Sequence, residues 1–272
     1  MGEEKVIKGT SSPVTVHSMQ QDLRDIGICE GDMLLVHSSL SSLGWVCGGP
    51  QAVVQALLES VESTGTLVMP AQSGDWSDPA EWQAPPVPSD WIDIIYREMP
   101  AFDPALTPTR GMGRIAELFR TVPGTVRSHH PQVSFCANGM LAEHITADHV
   151  LTPQFGMASP LGKLYHLQAK VLLLGVDYDS CTSFHLAEAL IEGMPKKRMG
   201  TALVEDGQRI WKWFEDFHYD SEDFTQIGEQ FEKHSSVVVG KVGNAACRLF
   251  NLKEAVDFAR QWLQNNRINL TN

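Results

Sequence analysis

Hydrophobic residues recur along the chain at two spacings, one typical of amphipathic helices and one typical of buried strands. In residues 18–27, Met19, Leu23 and Ile26 fall on one helical face, and Gly27 ends the helix. The apolar run DMLLVH at 32–37 follows turn residues, which predicts a buried strand. The same patterns predict helices at 50–61, 113–119, 182–192 and 252–265, strands at 64–69, 134–137, 171–176 and 235–241, and a hairpin at 202–213.

The order of these elements indicates the fold class. A strand, a loop of small residues, a helix and a second strand follow one another over 32–69, which is typical of an α/β layered fold. Residues 74–108 differ, because prolines interleave there with Trp76, Trp82 and Trp91. We predict that this segment is mostly irregular but packed. No shift in composition marks a linker, so we predict one domain over 1–272.

The composition is that of a globular and strongly acidic protein. The chain has 21 Lys and Arg against 33 Asp and Glu, a formal net charge of −12. This excess argues against nucleic acid or an anionic membrane as the main partner, since both need basic patches. It is compatible with a cationic partner or with ordinary acidity.

The compartment is predicted from three further features. Residues 1–10 lack the apolar core of a signal peptide, and the longest apolar run, at 171–174, is too short to span a bilayer. Five scattered cysteines form no CxxC pair. We therefore predict a cytoplasmic protein with reduced thiols.

A loop rich in serine and glycine follows the first predicted strand. The sequence HSSLSSLGWVCGG at 37–49 leads into a helix, whose N-terminus favours anions such as a pyrophosphate. An ordinary serine-rich turn is the alternative, because the loop matches neither a Walker A nor a GxGxxG pattern. A second glycine cluster, TRGMGR at 109–114, also precedes a helix, and its two arginines add affinity for anions.

A polar segment follows the most apolar strand, at the end where α/β folds usually place their sites. His185 and Glu188 lie one helical turn apart there, and histidine is the side chain best suited to act as a general base near neutral pH. A structural histidine and a Cys181–His185 nucleophile pair are the alternatives. We predict no metal site, because His129, His130, His144 and His149 match no usual ligand spacing.

Seven segments, in order, resemble the aminoglycoside 3-N-acetyltransferase family, also called the antibiotic N-acetyltransferases. They are VHSSLSSLGWVCGG at 36–49, MPAQS at 69–73, TPTRGMG at 107–113, RSHHPQVSF at 127–135, SPLGKLY at 159–165, LLLGVDYDSCTSFHLAEA at 172–189 and VGNAACRLF at 242–250. The resemblance implies an α/β/α layered fold around a mixed sheet, distinct from the GNAT fold. It also implies a smaller appended region at about 202–241.

The resemblance further implies transfer of an acetyl group from acetyl-CoA to the 3-amino group of an aminoglycoside. His185 corresponds to the catalytic histidine, and Asp216, shortly after Trp211 and Lys212, to its acidic partner. Glu215, Asp220 and Glu222 are alternatives for that acid. The positions expected to bind CoA are Ser38, Ser39, Ser42, Leu43, Gly44, Gly48, Gly49, Arg110, Gly111, Met112 and Gly113.

A polycationic acceptor calls for carboxylates in its site. Our candidates are Asp75, Asp177, Asp179 and Glu188, with Trp76 or Trp82 as walls and residues 74–108 setting the range of acceptors. Three other functions stay open. They are acyl transfer to a non-antibiotic amine, hydrolysis by a Cys–His pair using Cys181 or Cys47, and CoA binding without catalysis.

Overall fold

The computed structural model describes residues 3–268 of the chain. Its strands are β1 (Met33–Ser38), β2 (Thr66–Pro70), β3 (Val126–Arg127), β4 (Phe135–Gly139), β5 (Lys170–Leu174), β6 (Lys196–Glu205), β7 (Gln208–Phe217), β8 (Val238–Val242) and β9 (Ala245–Asn251). Its α-helices are α1 (Glu3–Lys8), α2 (Val16–Asp25), α3 (Gly49–Val61), α4 (Ile92–Glu98), α5 (Gly113–Phe119), α6 (Ala142–Thr146), α7 (Pro160–His166), α8 (Ser183–Leu190), α9 (Phe224–His234) and α10 (Leu252–Leu263).

A mixed sheet forms the centre of the molecule, with the strand order β3-β4-β2-β1-β5-β9-β8. The central strand β1 runs parallel to β2 and β5, and the outer pairs of strands are antiparallel. Leu34, Leu35 and Val36 of β1 are almost fully buried because helices cover both faces of the sheet. The prediction of an α/β fold around a mixed sheet is confirmed.

Two hydrophobic layers lie on opposite sides of this sheet. One contains Met19 and Leu23 of α2 together with the buried faces of α3 and α5. The other contains Phe184 of α8 and Phe231 of α9 together with the buried faces of α6, α7 and α10. The layers place the start of α5 and the start of α8 beside the carboxyl ends of β1, β2 and β5, where the candidate site lies.

Several elements differ from their predictions. The hairpin β6–β7 is longer than predicted and forms its own two-stranded sheet, whereas Val238–Val242 joins the main sheet. Helix α4 lies inside the segment predicted to be irregular. Helix α9 was not predicted, although Phe224, Ile227 and Phe231 are buried at helical spacing. Strand β9 was also missed, although its buried residues Ala245, Cys247 and Leu249 alternate.

Within residues 3–268, no helix combines the length and the apolarity that crossing a membrane requires. Residues 1 and 2, part of the stretch interpreted above as lacking a signal peptide, lie outside the described residues.

Candidate active site

A cavity of about 310 Å³ opens at the carboxyl ends of β1 and β2 and just beyond β5. Its walls come from these strand ends, from the glycine cluster before α5, and from α8 and α9. The lining residues are Val36, His37, Ser38, Pro70, Gln72, Gly111, Met112, Ala116, Val176, Asp179, Ser180, Thr182, His185, Ser221 and Phe224. We call it the acceptor cavity, after the acceptor substrate that the sequence resemblance implies. Crevices at strand ends of this kind are where α/β folds usually bind ligands.

His185 is held in a fixed orientation at this cavity. Its Nδ1 lies 2.5 Å from Oε2 of Glu188, one helical turn further along α8. Its ring stacks on Phe155 at a centroid distance of 4.7 Å and also contacts the rings of Phe224 and Tyr219. Because Glu188 engages Nδ1, the other ring nitrogen, Nε2, is the atom that His185 offers to a ligand.

Glu188 is fully buried and serves as the partner of His185. Its Oε1 accepts a hydrogen bond from the backbone N–H of Asp220 at 3.0 Å and forms an ion pair with Arg267. Arg267 also donates to Asp223. The prediction that Glu188 binds the acceptor is therefore wrong, because its oxygens are already used inside the protein.

Asp216 does not contact His185, which corrects the predicted pairing. It lies on β7, where Oδ2 accepts from the backbone N–H of Gln154 and Oδ1 from that of Phe217, each at 2.8 Å. Burial raises its pKa, although these hydrogen bonds oppose the shift. The position of Asp216 was inferred from its place after a Trp-Lys pair, a spacing that does not specify which way a strand residue points. The signal for the correct acid was the three-residue spacing of His185 and Glu188.

A second histidine, His37, lines the acceptor cavity and was not singled out from the sequence. It lies near the end of β1, and its Nε2 is 3.3 Å from Oγ1 of Thr182, which precedes α8. Burial and the nearby His185 lower the pKa of His37 to about 3, so its imidazole is neutral at pH 7. Its position at the junction of an apolar strand and the serine-rich loop is the feature of the sequence that could have identified it as a site residue.

A second cavity, of about 560 Å³, lies on the other side of the serine-rich loop. We call it the donor cavity, after the acetyl donor that the sequence resemblance implies. The loop, the glycine cluster before α5 and helix α1 form its walls. The lining residues are Glu3, Val6, Ser38, Ser39, Leu40, Ser41, Gly44, Trp45, Val46, Gly49, Gly111, Met112, Gly113 and Arg114. Ser38, Gly111 and Met112 line both cavities and form a shared wall between them.

The donor cavity is open where its glycines lie. Gly49, Gly111 and Gly113 have positive φ angles of 57°, 73° and 80°, and a Cβ built on any of them would meet no atom within 4 Å. Their backbone is therefore accessible to a ligand, and Arg114 is the cation among the described lining residues. The fold thus brings the serine-rich loop at 37–49 and the glycine cluster at 109–114 together at one cavity, as the predicted CoA-binding set requires.

Four predicted CoA-binding residues do not line this cavity. Ser42 donates to the carbonyl oxygen of Gly175 at 2.9 Å, and Leu43 belongs to the hydrophobic core with no exposed surface. Gly48 is the N-cap residue of α3. Arg110 pairs with Asp75 at 3.4 Å and also donates to the carbonyl oxygen of Ala84. Ser42, Leu43 and Gly48 therefore support the structure of the loop.

Two of the remaining predicted acceptor-binding residues do not line the acceptor cavity. Asp75 is engaged by Arg110, and Asp177 caps the backbone N–H of Tyr178 and lies 3.6 Å from Arg248. Asp179 alone among the four predicted carboxylates lines the acceptor cavity.

The segment 74–108 contributes no residue to either cavity among those that the structure describes. Trp76 donates to the carbonyl oxygen of Pro100, and Trp82 donates to Ser77, so both side chains make their hydrogen bonds within this segment. The predicted tryptophan walls are therefore absent from the described lining.

The cysteines give no support to a hydrolase. Cys181 is fully buried with its Sγ 3.0 Å from Oγ of Ser183, and burial raises the pKa of its thiol to about 11. A thiol in that state is a poor nucleophile. Cys47 is exposed and lines neither cavity. Within residues 3–268, no three His, Cys, Asp or Glu side chains are grouped to hold a metal ion.

Comparison with known proteins identifies the family. The family model described as aminoglycoside 3-N-acetyltransferase matches residues 35–264. The SPbeta prophage-derived aminoglycoside N(3')-acetyltransferase-like protein YokD of Bacillus subtilis (strain 168) is 48% identical, with 97% of each chain covered. Aminoglycoside N(3)-acetyltransferase VII of Streptomyces paromomycinus is 34% identical, over 97% of this chain and 96% of its own.

Solved structures show the same similarity. The crystal structure of YokD from Bacillus subtilis superposes with a TM-score of 0.96 at 47% identity, and 99% of each chain is covered. The structure described as AAC-IIIb binary with CoASH has a TM-score of 0.82 at 31% identity, covering 93% of this chain and 97% of its own. AAC-VIa bound to sisomicin has a TM-score of 0.83 at 31% identity, covering 93% and 98%.

Proposed function

The chain belongs to the aminoglycoside 3-N-acetyltransferase family, and from that premise we propose that it transfers an acetyl group from acetyl-CoA to an amine of an aminoglycoside. The observation that carries this proposal is the arrangement of the two cavities. They meet at a shared wall formed by Ser38, Gly111 and Met112, with His185 on the acceptor side. A donor and an acceptor bound in the two cavities would therefore meet beside a candidate base.

The donor cavity has features that suit CoA. Its open glycine backbone at Gly49, Gly111 and Gly113 admits close approach of a phosphate, and Arg114 supplies a positive charge. Ser38, Ser39, Gly44 and Met112 complete the set of predicted positions that line it. The structure of the related AAC-IIIb is a binary complex with CoASH, which supports this assignment. Acetyl-CoA is an intracellular metabolite, which fits the predicted cytoplasmic location.

His185 is our candidate general base. An aminoglycoside amine is mostly protonated at neutral pH and cannot attack a carbonyl until it loses a proton. Nε2 of His185 accepts this proton, while Glu188 holds the other nitrogen and stabilises the charged ring. In this role Glu188 replaces Asp216, which the resemblance had suggested.

The proposed reaction moves the acetyl group from the thioester sulfur to the amine nitrogen. The free amine attacks the thioester carbonyl, a C–N bond forms, and the C–S bond breaks. Ser38 lies in both cavities, and its hydroxyl is our candidate donor to the oxygen that becomes negative during attack. The first proton taken from the ammonium leaves His185 for solvent, and His185 then takes the second proton from the nitrogen as the C–N bond forms. It passes this second proton to the departing thiolate, so that the products are the N-acetylated amine, CoA and one proton.

The direct test follows thiol release. Protein, acetyl-CoA and sisomicin are mixed, and free CoA is measured with a thiol reagent, with the acetylated product identified by mass spectrometry. We expect release that depends on the amine and acetylation at a single nitrogen. Absence of release with every amine tested contradicts the proposal and leaves a CoA-binding protein without transferase activity.

A further inference from the structure

The guanidinium group of Arg127 lies inside the protein and outside both cavities. Arg127 is on β3 and is buried, and it is not among the residues that line either cavity. Its Nε donates to Oγ of Ser134 at 2.9 Å, and its Nη2 donates to the carbonyl oxygen of Ala71 at 2.6 Å and to Oγ of Ser73 at 2.8 Å. These contacts attach β3 to the chain that directly follows β2.

The same guanidinium also holds the segment that leads to the glycine cluster. Its Nη1 donates to the carbonyl oxygens of Pro104 and Thr107. The hydrogen bonds of Arg127 therefore match the five N–H groups that a guanidinium has. Because every acceptor is an uncharged oxygen, this cation contributes a set of directed hydrogen bonds in place of an ion pair.

The residues that follow this segment form the wall between the two cavities. Ser73 uses the hydroxyl that accepts from the guanidinium to donate to the carbonyl oxygen of Pro108 at 2.6 Å. The N–H of Arg110 donates to the carbonyl oxygen of Gln72 at 2.8 Å. Gly111 comes next, and a Cβ built on it would meet no atom within 4 Å. The position of Gly111 is therefore set by the anchored residues before it and by α5 after it.

We propose that Arg127 is a positioning residue, which fixes the chain after β2 against residues 104–110 and thereby sets the place of Gly111 and Met112 in the shared wall. The inference rests on the proposed function, in which donor and acceptor meet at this wall. Arg127 acts through the wall and not through contact with a substrate. A displacement of the wall by about 1 Å would move the thioester away from the amine, and a shift of that size can cost about 10²-fold in rate.

The variant Arg127→Lys tests the guanidinium. Lysine keeps the charge, but the three donors on its single nitrogen cannot reproduce the directions of the guanidinium. With acetyl-CoA and saturating sisomicin, we expect kcat per folded molecule to fall about thirtyfold. The Kd for CoA, measured by calorimetry, should stay within about threefold, because Arg114 and the serine-rich loop still line the donor cavity. Urea unfolding gives the folded fraction, which is all that a purely stabilising residue would change.

Arg209→Lys is the matched control. Arg209 also donates to backbone carbonyl oxygens, those of Tyr96 at 2.6 Å and Met99 at 2.9 Å, and so holds α4 to the hairpin β6–β7. It does not belong to the described lining of either cavity. This variant should lose stability, while kcat per folded molecule stays within about twofold of wild type.

Ser73→Ala tests the same connection without changing the guanidinium. It removes one acceptor of Arg127 and the hydrogen bond to Pro108, so we expect kcat to fall about tenfold. In the double variant with Arg127→Lys the two losses should not multiply, because both residues act through one connection. Its kcat should lie within about threefold of Arg127→Lys alone. Ser73→Ala combined with Arg209→Lys should show the loss of Ser73→Ala and no more.

The outcomes separate this inference from the proposed function. Losses of kcat in Arg127→Lys and Ser73→Ala that are absent from Arg209→Lys and do not multiply support the inference. Near-normal kcat per folded molecule in Arg127→Lys overturns it while the proposed function stands, as does an equal loss in Arg209→Lys, a multiplied loss in the double variant, or a rise in the Kd for CoA as large as the fall in kcat. If Arg127→Lys does not fold, kcat of Ser73→Ala decides in the same way. If wild-type protein releases no CoA with any amine, the proposed function fails and the inference fails with it.

Discussion

Two groups of histidines in this molecule use the same imidazole side chain in opposite ways. His185 has a carboxylate on Nδ1 and a cavity beside it. His130 and His149 lie 4.8 Å apart between ring centroids, and their partners are backbone groups and a serine hydroxyl. Burial lowers the pKa of His149 to about 4 and that of His130 well below its usual value.

The difference lies in the partners, because a facing carboxylate stabilises a proton on a buried imidazole more than neutral hydrogen-bond partners do. At His185 the buried Glu188 can balance a positive ring. At His130 the Nδ1 atom already accepts hydrogen bonds from the backbone N–H groups of Gln132 and Val133, so it has no place for a proton. The first arrangement suits proton transfer, and the second holds a loop in place.

Replacing the reactive histidine should give the largest effect. For His185→Ala we expect kcat to fall by about 10²–10⁴, since that is the usual contribution of a general base. KM for acetyl-CoA should stay near its wild-type value, because His185 does not line the donor cavity. Steady-state kinetics checks this, with His149→Ala as the comparison that should lower stability and not kcat. A near-normal kcat in His185→Ala would remove the catalytic assignment.

Changing the acid should have the next largest effect. Glu188→Gln keeps the shape of the side chain but removes its charge, so we expect kcat to fall by about 10²-fold or more. The matched variant is Asp216→Asn, which alters a buried carboxylate that does not contact His185. Its kcat should stay within about threefold of wild type if folding is retained. Equal losses in the two variants would contradict the assignment of Glu188 as the partner.

Acidification should destabilise the fold through three buried histidines that have no carboxylate partner among the described residues. His37, His130 and His149 have folded-state pKa values below the unfolded value of 6.5, so the unfolded chain binds more protons at low pH. Their contribution is therefore complete above pH 6.5 and is lost as the pH falls towards 4. Each can cost about 1.4 kcal/mol per pH unit in that window.

Urea unfolding at pH 7, 6 and 5 measures this loss. His149→Gln should have a shallower dependence of the free energy of unfolding on pH than wild type. A dependence that is unchanged in this variant would show that His149 does not titrate on unfolding in this window.

The smallest effect is expected at the buried thiol. Cys181→Ala should leave kcat within about twofold of wild type and cost about 1 kcal/mol of stability, because the side chain packs in the core without entering either cavity. Kinetics and urea unfolding measure the two quantities. Loss of turnover here would revive the hydrolase hypothesis.

The sequence predicted many helices and strands of the layered fold well. It did not predict which side chains form ion pairs with the candidate site residues. The helix predicted at 113–119 has the same bounds as α5. The helix predicted at 18–27 and the strand predicted at 32–37 differ from α2 and β1 by two residues or fewer at each end. These elements depend on local periodicity. The ion pairs that occupy Asp177 and Glu188 come from Arg248 and Arg267, which are distant in the chain. Local spacing contains no information about such contacts.

The wall formed by Ser38, Gly111 and Met112 has a consequence for inhibitor design. Under the proposed function, a single molecule in which a short linker joins a pantetheine fragment to an aminocyclitol would occupy both cavities, because the cavities adjoin there. Once one end is bound, the other is held at a high effective concentration, so the linked compound should bind far more tightly than either fragment. The length of this linker is the variable to optimise.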